Sequence, residues 1–213
     1  MKPHAFIAMP FNTKKGPDGK TDVDFNQILA RLFRPALERA DFEVFRADEE
    51  MRAGDIREDM FQELLVADLV LVDLTIHNPN VWYELGVRHA LRSRGVVLVY
   101  GAMPGIDVPA AFDVYTDRKL RYALTAEGQL DPASLDKAIE SLATMARETR
   151  EASTRRIVSP VYKLLPNLEQ PQWRKLLMTG DNEFSDVYKG WEQRVKLARR
   201  GNRAGDILTL ADE

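Results

Sequence analysis

Short runs of apolar, β-forming residues recur along the chain at His4–Met9, Phe42–Arg46, Leu69–Asp73 and Val96–Tyr100, with a weaker run at Leu120–Leu124. Between them lie longer segments whose apolar residues repeat at helical spacing. In Phe25–Ala40 the stripe is Phe25, Ile28, Leu29, Leu32, Phe33, Ala36 and Leu37, and Ile56–Ala67 and Val81–Ser93 follow the same period. A further helix is expected over Pro132–Arg150, where Asp131 can cap and Pro132 can take the first helical position. Strands alternating with helices are the signature of βα units on a parallel sheet. The pattern therefore predicts an α/β domain over residues 1–150, with a five-stranded, mostly parallel sheet in the order 2-1-3-4-5.

The texture changes at Glu151. The stretch "EASTRRIVSPVYKLLPNLEQPQW" holds Pro160, Pro166 and Pro171, and reads as an extended connector that wraps the domain through Val161, Tyr162 and Leu165. A helical pattern resumes over Phe184–Arg200 and stops at Gly201, and "RAGDILTLADE" then starts another helix without finishing it. Residues 151–213 are thus expected to be a connector and helices leading into a longer helical region. Near the other end, "NTKKGPDGKTD" (residues 12 to 22) is a polar glycine-proline segment after the first strand, to be read either as a surface loop or as a lid.

Composition narrows the possible chemistry. The 213 residues are 45% hydrophobic and 30% charged, enough for one good core. A net charge of −3 gives no general attraction to nucleic acid, which is not expected as a partner. With no cysteine, disulfides, thiolate metal sites and cysteine nucleophiles are excluded, and His4, His77 and His89 lack metal-ligand spacing. No run of about 18 apolar residues occurs, so no membrane span is expected, and a cytoplasmic location is the working assumption. Neither a Walker loop, nor G-x-G-x-x-G after the first strand, nor a G-x-S-x-G elbow is present.

In an open parallel sheet, ligands bind outside the carboxyl ends of the strands where the chain reverses direction. That rule sets Met9, Pro10 and Phe11 on one lip of a crevice and the corner from Asp73 to Asn80 on the other. Asn78, extended before Pro79, suits a helix N-cap, which puts Glu84 in the second helical turn. There the helix dipole no longer accounts for a glutamate, although an i, i+4 pair with Arg88 remains an ordinary explanation. The neighbours Trp82 and Tyr83 are costly to expose and favour a partly buried carboxylate. Asp73 reads as a ligand-facing acid or a turn cap, Asp68 as structural, and Asn78 as a cap. Arg46 and Asp48 flank the crevice in a loop that is otherwise solvated. Phe11 can stack on a base or pack under a loop, and His77 is expected to be exposed.

The segments "FIAMPF", "ADLVLVDLT" and "NPNVWYELGVRHAL" together resemble the nucleoside 2-deoxyribosyltransferase-like and TIR-like superfamily over residues 4 to 100. The segment "SPVYKLLPNLEQPQW" is similar to the link between such a module and a helical repeat region in proteins with a TRAF-binding domain of the apoptosis signal-regulating kinase type. The resemblance implies a flavodoxin-like three-layer sandwich with a C-terminal helical extension. It implies that Glu84 is the catalytic carboxylate at the anomeric carbon while an N-glycosidic bond breaks. Met9, Pro10, Phe11, Asp73, Asn78, Asn80, Trp82 and Arg88 would contact substrate. NAD or a nucleotide would be substrate or ligand, with no metal or separate cofactor. The implied partners are further copies of the chain and proteins docking through the C-terminal helices, in stress or immune signalling. Two departures stand out. Deoxyribosyltransferases carry an acid where this chain has Asn78, and TIR enzymes carry a serine or cysteine cluster before the glutamate that is missing here. Three readings follow: an N-glycosidase, a non-catalytic signalling module, and a deoxyribosyltransferase.

Overall fold

The computed structural model describes residues 2–46, 56–106, 118–151 and 157–171. The chain divides into a compact unit, Pro3–Leu168, and a second made of Met1–Lys2 with Glu169–Glu213. The helix expected over Phe184–Arg200, its stop at Gly201, and Asp48 lie outside the described residues.

Five strands form one parallel sheet: β1 (His4–Ala8), β4 (Glu43–Arg46), β5 (Leu69–Asp73), β6 (Val96–Ala102) and β7 (Lys119–Ala123). Their order is β4-β1-β5-β6-β7, which is the expected 2-1-3-4-5 of the five sheet strands with the numbering shifted, because the chain makes two further strands that the hydrophobic pattern did not show. These are β2 (Thr13–Lys15) and β3 (Asp22–Asp24), an antiparallel hairpin built from the segment expected to be a loop or lid. Its three-residue strands hold too few apolar positions to register as a pattern. The hairpin is nonetheless bolted down. Val23 is fully buried, and Gly128 at φ +78° lies so close that a Cβ would meet the Asp22 carbonyl oxygen at 2.3 Å.

Alternation along the strands sorts their side chains onto two faces. Ala5, Ile7, Met9, Leu69, Leu71, Val97 and Val99 join one core with residues of α1 (Phe25–Ile28), a π-helical turn (Leu29–Phe33), α2 (Arg34–Arg39) and α5 (Leu135–Glu151). Phe6, Ala8, Val70, Val72, Val96 and Leu98 join the other, with Leu64 of α3 (Ile56–Val66) and Val81 and Leu85 of α4 (Pro79–Leu91). The stripe at Phe25–Ala40 is thus broken by a π turn, and the last long helix starts at Leu135 because Asp131 instead holds a turn, accepting from Ala133 N at 3.1 Å.

The connector also departs from the extended form expected of it. Ser159 caps a short helix, α6 (Pro160–Leu164), with Pro160 at its first position. Ser159 Oγ donates to the His89 carbonyl at 2.7 Å and Tyr162 Oη to that of Ala90 at 2.9 Å, so the segment latches onto the end of α4. Tyr162 is the buried anchor, whereas Leu165 is 55% exposed and anchors nothing. Asp68 is structural as expected, accepting from His4 N at 2.8 Å and so tying β5 to β1. No helix among the described residues is long and apolar enough to cross a membrane.

Candidate functional site

Helix α4 begins where the sequence places it. Asn78 is extended, its Oδ1 accepts from Asn80 N at 3.0 Å and Val81 N at 3.5 Å, and Pro79 fills the first helical position. Asn78 is therefore engaged as a cap, while Asn80 is exposed. With the start fixed, the 3.6-residue period turns Val81, Glu84, Leu85, Arg88 and His89 inward. Tyr83 points out, 59% exposed with its ring edge against Phe61, so it does not shelter the carboxylate as its size suggested. Trp82 is half-buried beside His77, with ring centroids 6.3 Å apart, and its indole N–H is buried without a hydrogen-bond partner among the described residues.

Glu84 is 8% exposed, and its carboxylate makes no hydrogen bond or ion pair among the described residues. Burial pushes its pKa up to about 7. A buried carboxylate without donors costs stability, which is the reverse of what a purely structural glutamate does.

Arg88, four residues on, does not pair with it. Its guanidinium donates to the carbonyls of Leu64 (2.8 Å), Arg94 (3.2 Å) and Gly95 (3.2 Å), beyond the far end of α4 and just before β6 begins. It is fully buried, and its pKa is lowered to about 9 by burial and by Arg92, with Asp68 pulling the other way. A side chain spent on three carbonyls at the amino end of the sheet is not available to a ligand at the carboxyl end. The expectation that Arg88 contacts substrate is corrected accordingly.

Asp73 is corrected for a different reason. Strand parity sends it, with Leu69 and Leu71, to the face covered by α1, α2 and α5, whereas α4 and Glu84 cover the opposite face. It is 0% exposed. Its Oδ1 accepts from Thr75 N at 2.9 Å and contacts Thr75 Oγ1, and its Oδ2 lies 3.0 Å from Tyr122 Oη. Thr75 Oγ1 in turn lies 2.8 Å from Tyr122 Oη and accepts from Gly101 N at 2.7 Å. The cluster pins the corner before α4 to β6 and β7. Gly101 is needed for this, since a Cβ there would stand 2.9 Å from the Tyr122 ring. Thr75, Gly101 and Tyr122 were not singled out from sequence; the one available signal was a tyrosine within a strand, whose hydroxyl requires a partner once buried.

On the opposite lip Met9 and Pro10 are buried and Phe11 is half-buried. The Arg46 guanidinium sits 5.1 Å from the Phe11 ring centroid and donates to Asn26 Oδ1 at 2.9 Å. Asn26 Nδ2 donates to Asn12 Oδ1 at 3.1 Å, with Asn12 at φ 59° in the left-handed region that asparagine tolerates. Arg46 is thus a buried part of the lip instead of a solvated loop residue. Among the described residues no three His, Asp or Glu side chains gather in a way that could hold a metal ion.

The fold defines an α/β protein built on a five-stranded parallel sheet, with a buried acid on the helix that follows β5. Compared with known proteins, the chain matches no family model and no curated protein.

Proposed function

We propose that this chain cleaves the N-glycosidic bond of NAD or of a nucleoside or nucleotide, with Glu84 as the catalytic carboxylate. The observation that carries the reading is Glu84 itself: nearly buried, without a partner among the described residues, and with its pKa raised to about 7. Breaking an N-glycosidic bond builds positive charge on the sugar ring. A carboxylate in a poorly solvated site offsets that charge more strongly than one in water, and a cationic substrate would also draw its proton off. The leaving group departs as a neutral base when it enters as a cation, as nicotinamide does, so positioning and one carboxylate suffice. Asn78, spent on capping, is not the acid that base exchange would use, and this favours hydrolysis over deoxyribosyl transfer. The wider reading is of a flavodoxin-like three-layer module that acts as an oligomer in the cytoplasm. In that reading its helical C-terminal extension docks protein partners in a stress or immune response.

The test is incubation with NAD and a nucleoside panel, following release of nicotinamide or free base, with Glu84→Gln run alongside. Release that disappears in the variant supports the assignment; no release from any substrate sinks it. A second reading, a non-catalytic sensor, draws on the α6 latch, which joins the connector to the Glu84 helix. It expects nucleotide binding with no turnover, and binding unchanged in Glu84→Gln.

A further inference from the structure

The Asp73 cluster has a proton-counting problem. Asp73 Oδ1 meets Thr75 Oγ1, Thr75 Oγ1 meets Tyr122 Oη at 2.8 Å, and Tyr122 Oη meets Asp73 Oδ2 at 3.0 Å. The closed ring has three oxygen–oxygen contacts at hydrogen-bond distance. An ionised Asp73 leaves only two protons for them, one from Thr75 and one from Tyr122, and both would point at the carboxylate. The Thr75–Tyr122 contact would then set two lone pairs against each other in a site without water access.

We propose that Asp73 is held as a neutral carboxylic acid and acts as a positioning residue for the corner that launches the Glu84 helix. With the acid proton on Oδ2, every contact has a donor. Asp73 Oδ2–H donates to Tyr122 Oη, Tyr122 donates to Thr75 Oγ1, and Thr75 donates to Asp73 Oδ1. The two backbone amides fit the same direction: Thr75 N donates to Oδ1, and Gly101 N takes the remaining acceptor site on Thr75 Oγ1. Thr75 is thereby fixed to β6 and β7 three residues before the Asn78 cap.

The surroundings agree. Asp73 is fully buried, and burial lifts its pKa to about 6 against the opposing pull of the Thr75 and Tyr122 hydrogen bonds. In the ring the Tyr122 bond runs the other way and favours the neutral form. Tyr122 itself is pushed well above its ordinary range by burial, so its proton stays in place. The polar groups facing Asp73 are Thr75 from the corner, Tyr122 from β7 and the Gly101 amide from β6; among the described residues no charged side chain bears on it.

Asp73→Asn separates the alternatives, because an amide reproduces the neutral acid. Its Nδ2–H donates to Tyr122 and its Oδ1 accepts from Thr75, whereas an ionised Asp73 has no such mimic. Infrared difference spectra between the wild-type chain and Asp73→Asn are expected to show a protonated-carboxyl C=O band that titrates away only above about pH 6. The variant is expected to melt within about 3 °C of the wild type at pH 5 and above it at pH 8. A carboxylate signature for Asp73 throughout that range, or a variant that melts far lower at both pH values, overturns the proposal. The proposal also rests on the Glu84 reading for its functional meaning. Once a substrate is found, Asp73→Asn should keep kcat and KM within about threefold, while a rise in KM of about tenfold or more would make Asp73 a substrate ligand instead. If no substrate turns over, the spectrum and the melting curves still decide the state of Asp73.

Discussion

Helix α4 carries two buried charged side chains one turn apart on the same inner face, and they are treated in opposite ways. Arg88 donates to three carbonyls and closes the end of its helix against α3 and the start of β6. Glu84 has burial of nearly the same degree and no partner among the described residues. Burying a charge with most of its donors engaged, as Arg88 is through both terminal nitrogens though not its Nε, yields a brace, while burying one without partners leaves a group whose cost must be repaid by something else. The contrast separates a residue that holds the fold from one that the fold holds in readiness.

The sharpest way to break this contrast is Glu84→Gln. It should lower turnover by about a thousandfold or more once a substrate is identified, measured as free nicotinamide or base. Next in size, Arg88→Met should destabilise the fold by about 3 kcal/mol in denaturant unfolding, since three carbonyls lose a charged donor. If Arg88→Met were neutral and Glu84→Gln destabilising, the two roles would have to be exchanged.

Glu84→Gln should also raise stability, by about 1–3 kcal/mol at pH 8. The folded pKa of Glu84, about 7, lies above its ordinary 4.5, so the folded chain holds a proton that the unfolded chain gives up. That contribution is fully present below about pH 4.5 and is lost as pH rises through about 7. The gap between variant and wild-type melting temperatures should therefore widen from pH 5 to pH 8. A smaller effect, about 1 kcal/mol, is expected from Asn78→Ala, which removes the cap that sets the register of both residues; urea unfolding would measure it.

Much of this contrast was legible in the sequence, and the rest was hidden for physical reasons. The α4 start was readable because Asn-Pro is a local signal, and from it Glu84 could be placed in the second turn; its partial burial was expected from Trp82 and Tyr83, although Tyr83 proves exposed and the helical period is what turns Glu84 inward. The sheet strands were readable because runs such as Leu69–Asp73 are buried on both faces and almost uniformly apolar. Arg88 misled because an i, i+4 glutamate is a strong local suggestion, whereas its actual acceptors come from Leu64, Arg94 and Gly95, which tertiary packing brings together. Asp73 misled because position at a strand end says nothing of which face a side chain takes until the parity of the whole strand is used. Tyr122 lies 49 residues from Asp73, and no spacing rule joins them. The β2–β3 hairpin was missed because lysine, aspartate and threonine dominate its strands and turn, and Val23, the buried side chain of its strands, is too little to show a period.

The reach of those contacts has a consequence for the order in which the chain can assemble. Everything that defines the Glu84 helix locally has been synthesised by residue 91. Yet its entry corner waits for Tyr122, and its exit waits for Ser159 and Tyr162, which are 70 and 72 residues from their acceptors. Contacts of such separation form late, because the loop must be closed before they contribute. An emerging chain therefore holds its acid on a helix that has its Asn78 cap and its Leu64 tie but still lacks the long-range fastenings at both ends.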